Sequence, residues 1–413
     1  MRLALTVCLA QLAVQLCVLG ALGIPVDVLR ISKDTSVCYP FEEYKDPRTL
    51  YTGNSSMGNV PILQYKLTDL TSYESEFELR TLDPEGIIFL GDIGAVTNWF
   101  LLAVQKRHLS VQTSHGKDKV IVNAGPLISD GKWKKIAIVK QEMEVSVSVD
   151  GEEVVSVRQS QESQEAELGD GFLRIAIGAS LSNSIPLGIN VPLDACMRNW
   201  NWMNQNSSVL LQDSLTLRCW DNIVPGSFFP GDGHVGFLPE TFGNLTTKTG
   251  NDNWTLSMEL AFRPVEDRGV LFAILDPHNN VSFSLSLNPL TKDLVLHLKD
   301  QVFGSSSTLP SLCLGESQYL QLQVGAGQVI TELGGDKVTR QLEDRDYHYL
   351  RAVWNQPGTM VYLGGLPEGA SSFHGCLQAK IRGVDVDLDL ARVRAGDIHS
   401  HSCPSALDIR DRK

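Results

Sequence analysis

Residues 75–100 read SEFELRTLDPEGIIFLGDIGAVTNWF. Phe77, Leu79 and Thr81 alternate with charged residues, which turns one face of a strand to a core and the other to water. Asp83-Pro84-Glu85-Gly86 then reverses the chain, because proline presets φ and glycine admits the left-handed region. Ile87-Ile88-Phe89-Leu90 is an apolar run of strand length, and Asn98-Trp99-Phe100 opens the next strand. Asp83 and Glu85 place two carboxylates on one tight turn.

The same grammar extends outward. Trp133 to Ile138 alternates, and Val145, Val147 and Val149 lead into Asp150-Gly151, with Val155 and Val157 leading out. An Asp-Gly pair between alternating runs is a strong hairpin signal. Leu173, Ile175 and Ile177 add a strand, and up to Cys219 no twelve-residue amphipathic helix interrupts. The pattern predicts an antiparallel sandwich. It restarts at Trp254, Leu256, Met258, Leu260 and Phe262. Glu266-Asp267-Arg268-Gly269-Val270-Leu271-Phe272 mirrors Asp83 to Phe89, and Phe373 to Cys376 mirrors Leu193 to Cys196. A repeat with a period of about 180 residues means two copies of one sandwich. The expected organisation is a signal peptide over 1–23, an irregular extension over 24–58, a first sandwich over 59–222, a linker over 223–250 and a second sandwich over 251–413.

Composition excludes several roles. The chain has 413 residues and a formal net charge of −13, which disfavours nucleic acid and anionic membrane as partners. Residues 1–23 carry one early arginine, an apolar run and a small-residue end, the layout of a secretory signal. No later run is apolar enough to span a bilayer. Five Asn-x-Ser/Thr sequons, at Asn54, Asn206, Asn244, Asn253 and Asn280, fit secretion as a glycoprotein.

Six cysteines remain after the signal and permit 15 pairings. Cys196 with Cys219 and Cys376 with Cys403 close comparable loops and are the expected disulfides; Cys38 and Cys313 are left to pair together, to bond another chain or to stay free. No Cys-x-x-Cys, Gly-x-Ser-x-Gly or His-Glu-x-x-His occurs, so neither a zinc site nor a catalytic centre is expected. His399 and His401 read as a solvated tail near Cys403.

The strand, acidic turn, apolar strand and aromatic pattern resembles a laminin G-like domain. The string DPEGIIFLGD resembles, more narrowly, the steroid-binding domain of the sex hormone-binding globulin family. The resemblance implies an all-β fold of two tandem laminin G-like antiparallel β-sandwiches of jelly-roll type. It further implies a secreted plasma carrier that holds androgens or estrogens in an apolar pocket of the first sandwich. Ser75 matches the family's serine anchor and Phe100 its ring-stacking phenylalanine. The other end of the steroid meets Asn98 and His115, where better-known members carry an aspartate and an asparagine. Lys140 and Leu173 stand where the family has methionines, and Ile93, Ile138, Val145 and Met203 complete the walls.

The same resemblance implies a structural calcium ion on Asp83, Glu85 and the carbonyl of Pro192. The second copy's Arg268 abolishes an equivalent site. The family's zinc histidines are replaced by Gly116 and Asp170, so no zinc is expected. Val122 and Val155 match an edge-strand surface through which the family forms homodimers. A rival reading is an interaction module that binds a cell-surface receptor or protein cofactor, as in growth-arrest-specific protein or protein S. Those chains carry carboxyglutamate and growth factor-like segments upstream, whereas only Cys38 precedes the first sandwich here. A glycan-binding module would want a larger basic face than Lys132, Lys134 and Lys135 offer.

Overall fold

In the computed structural model, residues 74–81 form the expected strand, with Phe77 and Leu79 turned fully inward. The structure describes residues 38, 43–44, 49–53, 60–93, 98–115, 118–141, 144–158, 171–180, 189, 191–207, 219–243, 254–288, 293–299, 301–303, 315–368 and 371–405. All of these lie in one unit, Val37–Lys413. The expected signal segment, Cys313, Asn54, Asn244, Asn253, Gly116 and Asp170 lie outside the described residues.

The first sandwich is built from β1 (Leu50–Tyr51), β2 (Ile62–Lys66), β3 (Glu74–Thr81), β4 (Gly86–Asp92), β5 (Asn98–Gln105) and β6 (His108–His115). It continues with β7 (Asp118–Leu127), β8 (Lys134–Gln141), β9 (Glu144–Val149), β10 (Glu152–Arg158), β11 (Phe172–Ile177) and β12 (Ala195–Trp202). One sheet runs β10-β9-β8-β3-β12-β1 and the other β2-β11-β4-β5-β6-β7, each six strands wide. Every pairing within them is antiparallel. The β9–β10 hairpin turns on Asp150 and Gly151, both at positive φ (53° and 87°), as a two-residue turn matched to strand twist requires.

The second sandwich repeats the plan with two seven-stranded sheets. Trp254, Leu256, Met258, Leu260 and Phe262 all point into its core, as their alternation predicts. The repeat is visible in the backbone itself: Ile87 bridges Pro192 in parallel, and Val270 bridges Ser372 in the same way. Each bridge follows a glycine that must have no side chain. A Cβ on Gly86 would stand 2.7 Å from the Leu193 Cα, and one on Gly269 2.5 Å from the Phe373 Cα. The second sandwich also carries a helix, Asp344–Trp354, which buries Tyr347, Leu350, Val353 and Trp354.

Two expected boundaries need correction. Residues 223–250 are not a free connection, because Ser227–Pro230 and His234–Phe237 are strands in the two sheets of the second sandwich. The extension is likewise part of the first sandwich: β1 pairs β12, and Glu43–Tyr44 pairs Cys219–Trp220. Both segments are short and rich in glycine or proline, so local periodicity is weak where pairing is long-range. Cys196 bonds Cys219 and Cys376 bonds Cys403 as expected. Cys38 is also disulfide-bonded, and its N–H donates to the Val265 carbonyl of the second sandwich at 2.7 Å.

Candidate functional site

A cavity of about 540 Å³ opens between the sheets of the first sandwich. It sits at the end where β4, β6, β8 and β12 finish and β3, β5, β9 and β11 begin. One wall carries Ser75, Ile138, Lys140, Val145, Trp202 and Met203; the facing wall carries Phe89, Asp92, Asn98, Phe100, Leu173 and Ile175. The floor is aromatic. Phe77 stacks on Trp202 at 5.3 Å, Trp202 meets Phe89 edge-on at 5.2 Å, and Phe89 stacks on Phe100 at 5.8 Å. Rings arranged in this way leave flat apolar faces toward the cavity. A site of this volume, mostly apolar with a few placed polar groups, suits a small rigid hydrocarbon.

Of the ten residues expected to line a ligand pocket, nine line this cavity: Ser75, Ile93, Asn98, Phe100, Ile138, Lys140, Val145, Leu173 and Met203. His115 is the ladder partner of Asn98 at the end of β6, and its side chain lies outside the described ones. Ser75 is buried and its hydroxyl accepts the Met203 N–H at 3.3 Å. That bond leaves its own proton free for an acceptor in the cavity. The structure adds Leu67, Tyr73, Asp92 and Thr113 to the lining. Asp92 is neutralised by Arg174, whose Nη2 lies 2.7 Å from Oδ1. The Thr113 hydroxyl donates to the Trp99 carbonyl at 3.3 Å.

The acidic turn sits elsewhere, at the seam with the second sandwich. Asp83 is wholly buried; its Oδ1 accepts the Glu85 N–H at 3.0 Å and its Oδ2 the Asp194 N–H at 2.8 Å. The turn lies beside Pro192, as the bridge to Ile87 requires. Asp83, Asp389 and His401 bring three potential ligand atoms within 4.8 Å of one another, and Glu85 is not part of that group. Burial, reinforced by Asp389, holds the Asp83 carboxyl well above the usual carboxylate range. Asp389 is raised by burial as well, with Asp387 and Asp194 adding to the effect against His401 and Arg394. Two buried carboxylates whose charged forms are both disfavoured by burial are short of positive charge, which is the environment a hard cation satisfies.

Sequence reasoning gave no hint of Asp194 or Asp389, and it read the two histidines as tail. His399 and His401 are not a solvated tail. The His399 ring lies 4.1 Å from that of Tyr51 and 4.2 Å from that of Trp220, and His401 Nδ1 lies 3.5 Å from both Asp83 and Asp389. Asp194 accepts the N–H groups of His401 and Ser402 at 2.7 and 3.0 Å and the Ser402 hydroxyl at 2.8 Å. Burial alone would raise its pKa, but the bond and charge of His399 and the His401 N–H outweigh that and hold it below the usual range. In the second copy, Arg268 Nε lies 2.8 Å from Glu266 and occupies the turn that would hold an ion.

The edge-strand pair needs a further correction. Val155 is a core residue of the inter-sheet cluster and Val122 packs partly against that cluster. The Val155 side chain is therefore not offered to a partner. Alternation on an edge strand shows that one face is buried, not which residue faces out.

Tandem sandwiches of this topology, one with a cavity between its sheets, define a laminin G-like protein. The model of the Laminin G domain matches residues 79–208. Domains LG4-5 of the mouse laminin α1 chain superpose with a TM-score of 0.63 at 19% identity, covering 91% of this chain and all of that one. Sex hormone-binding globulin of Oryctolagus cuniculus is 30% identical over 361 residues, covering 85% of this chain and 87% of that protein. That of Crocuta crocuta is 30% identical over 376 residues, covering 89% and 91%. The chain belongs to the sex hormone-binding globulin family, and it is not an enzyme. Vitamin K-dependent protein S of Oryctolagus cuniculus and growth arrest-specific protein 6 of Mus musculus are each 28% identical to it. The chain spans 59% and 58% of the length of those two relatives. Among the described residues no helix is long and apolar enough to cross a membrane.

Proposed function

We propose that this chain is a secreted carrier that binds sex steroids in the cavity of its first sandwich. One observation supports the reading above others: residues scattered from Ser75 to Met203 on both sheets converge on one apolar space. A steroid offers rigid rings to Phe100 and Leu173 and an oxygen at each end for Ser75 and Asn98. Burying the rings gains hydrophobic free energy, and pairing each end avoids an orphaned polar group.

The test is equilibrium binding of tritiated testosterone and estradiol to the purified full chain. Saturable binding that weakens in Ser75→Ala supports the reading; a folded protein that binds neither steroid refutes it. The second reading, a protein-interaction module, is favoured by the likeness to protein S and growth arrest-specific protein 6. A protein receptor bound with no small-ligand site would establish it instead.

A divalent cation, calcium by preference, fits the acidic seam. Asp83 and Asp389 supply carboxylate oxygens and His401 a ring nitrogen, with Glu85 on the same turn as Asp83 and Pro192 beside that turn. The ion would neutralise charge buried between the two sandwiches. Homodimerisation belongs to the same proposal, through the edge strands β7 and β10 and not through the Val155 side chain. Asn206 and Asn280 are exposed and open to glycosylation.

A further inference from the structure

Lys140 is the odd member of the cavity. It is a cation on β8, next to apolar Ile138 and Val145, with its stem along the wall. It is exposed at the mouth, yet the walls strip enough water from the ammonium to lower its pKa, and burial is the sole cause acting on it. Among the described residues no carboxylate pairs with it. Its one neighbour of note is the Tyr73 ring, 6.0 Å from Nζ, and Tyr73 itself is 42% exposed. Asp92, the acid that lines the cavity, is already paired with Arg174 on the opposite sheet. An apolar cavity therefore ends in a cation that, among the described residues, has no carboxylate partner and is flanked by a phenol.

Charges in partly buried positions are normally paired, and the pair is worth more where water is excluded. We propose that the cavity selects an anionic amphiphile: a flat apolar ring system between the sheets, with a sulfate or carboxylate held by Lys140 at the mouth. The Tyr73 hydroxyl is placed to donate to the same anion. This rests on the reading of the cavity as a steroid site and narrows it to acidic conjugates over neutral steroids.

The probes are dehydroepiandrosterone and its 3-sulfate, which share one ring system and differ in the anion, with laurate as an anion lacking rings. Binding is measured by equilibrium dialysis against the full chain, its Lys140→Met variant and its Lys140→Arg variant. The sulfate is expected to bind wild type about tenfold more tightly than the neutral parent, with the advantage shrinking as salt rises. Lys140→Met should abolish that advantage, and Lys140→Arg should keep it. The inference is overturned if the neutral steroid binds as well as the sulfate, if Lys140→Met weakens both equally, or if laurate matches the sulfate. In those outcomes the carrier reading stands. If no steroid binds the folded chain, both fall together.

Discussion

Replacing Phe100 by alanine separates a ligand contact from a core contact. Phe100 is half-buried in the absence of ligand, with one ring face against Phe89 at 5.8 Å and another toward the cavity. A fully buried phenylalanine is worth about 1.5–3 kcal/mol, so the ligand-facing half accounts for about 0.8–1.5 kcal/mol of binding. That corresponds to a Kd raised about four- to twelve-fold. Phe89 is the control, since it is only 5% exposed and packs edge-on against both Phe77 and Trp202. Its removal should cost about 3–5 kcal/mol of stability. Equilibrium dialysis with tritiated testosterone, run beside thermal denaturation, reads both quantities. Phe100→Ala should weaken binding with a small change in Tm, and Phe89→Ala should lower Tm steeply. A folded Phe100→Ala protein with unchanged affinity would refute the placement of the ligand in this cavity.

Three further outcomes are expected. Asp194→Ala strands the buried Ser402 N–H and hydroxyl and the partly buried His401 N–H at the seam; urea denaturation should show a loss of about 3–5 kcal/mol. Chelation should lower the Tm of wild type and leave Asp389→Asn largely insensitive, and an equal Tm with and without chelator would argue against an ion at the seam. Lys140→Met should raise the Tm of the ligand-free chain at pH 7. Burial lowers the lysine pKa, so the fold opposes its charged form in full below the folded-state pKa, and the penalty fades as pH rises from there to the unfolded value of about 10.4. The gap between variant and wild type should therefore close toward alkaline pH, which calorimetry across pH would read.

Local sequence determined the sandwich. Alternation at Phe77 and Leu79, the Asp150-Gly151 hairpin and the repeated turns before Gly86 and Gly269 are short-range signals, set by the two-residue strand period and by turn sterics. The family resemblance, matched position by position and not through alternation, pointed to most of the residues that line the cavity. Tertiary structure decided the rest. Ser227–Pro230 reads as a linker and is a strand, because its partner His374–Ile381 lies far along the chain. Lys140 is expected in the pocket from the resemblance; only the facing sheet shows that, among the described residues, it ends an apolar cavity without a carboxylate partner. The seam was the least legible part. Asp83 and Asp389 stand more than three hundred residues apart, and His401 reads as tail until the second sandwich folds its last strand against the first. No local pattern encodes a meeting of that kind, since it depends on how two separate cores pack and bury the charges between them.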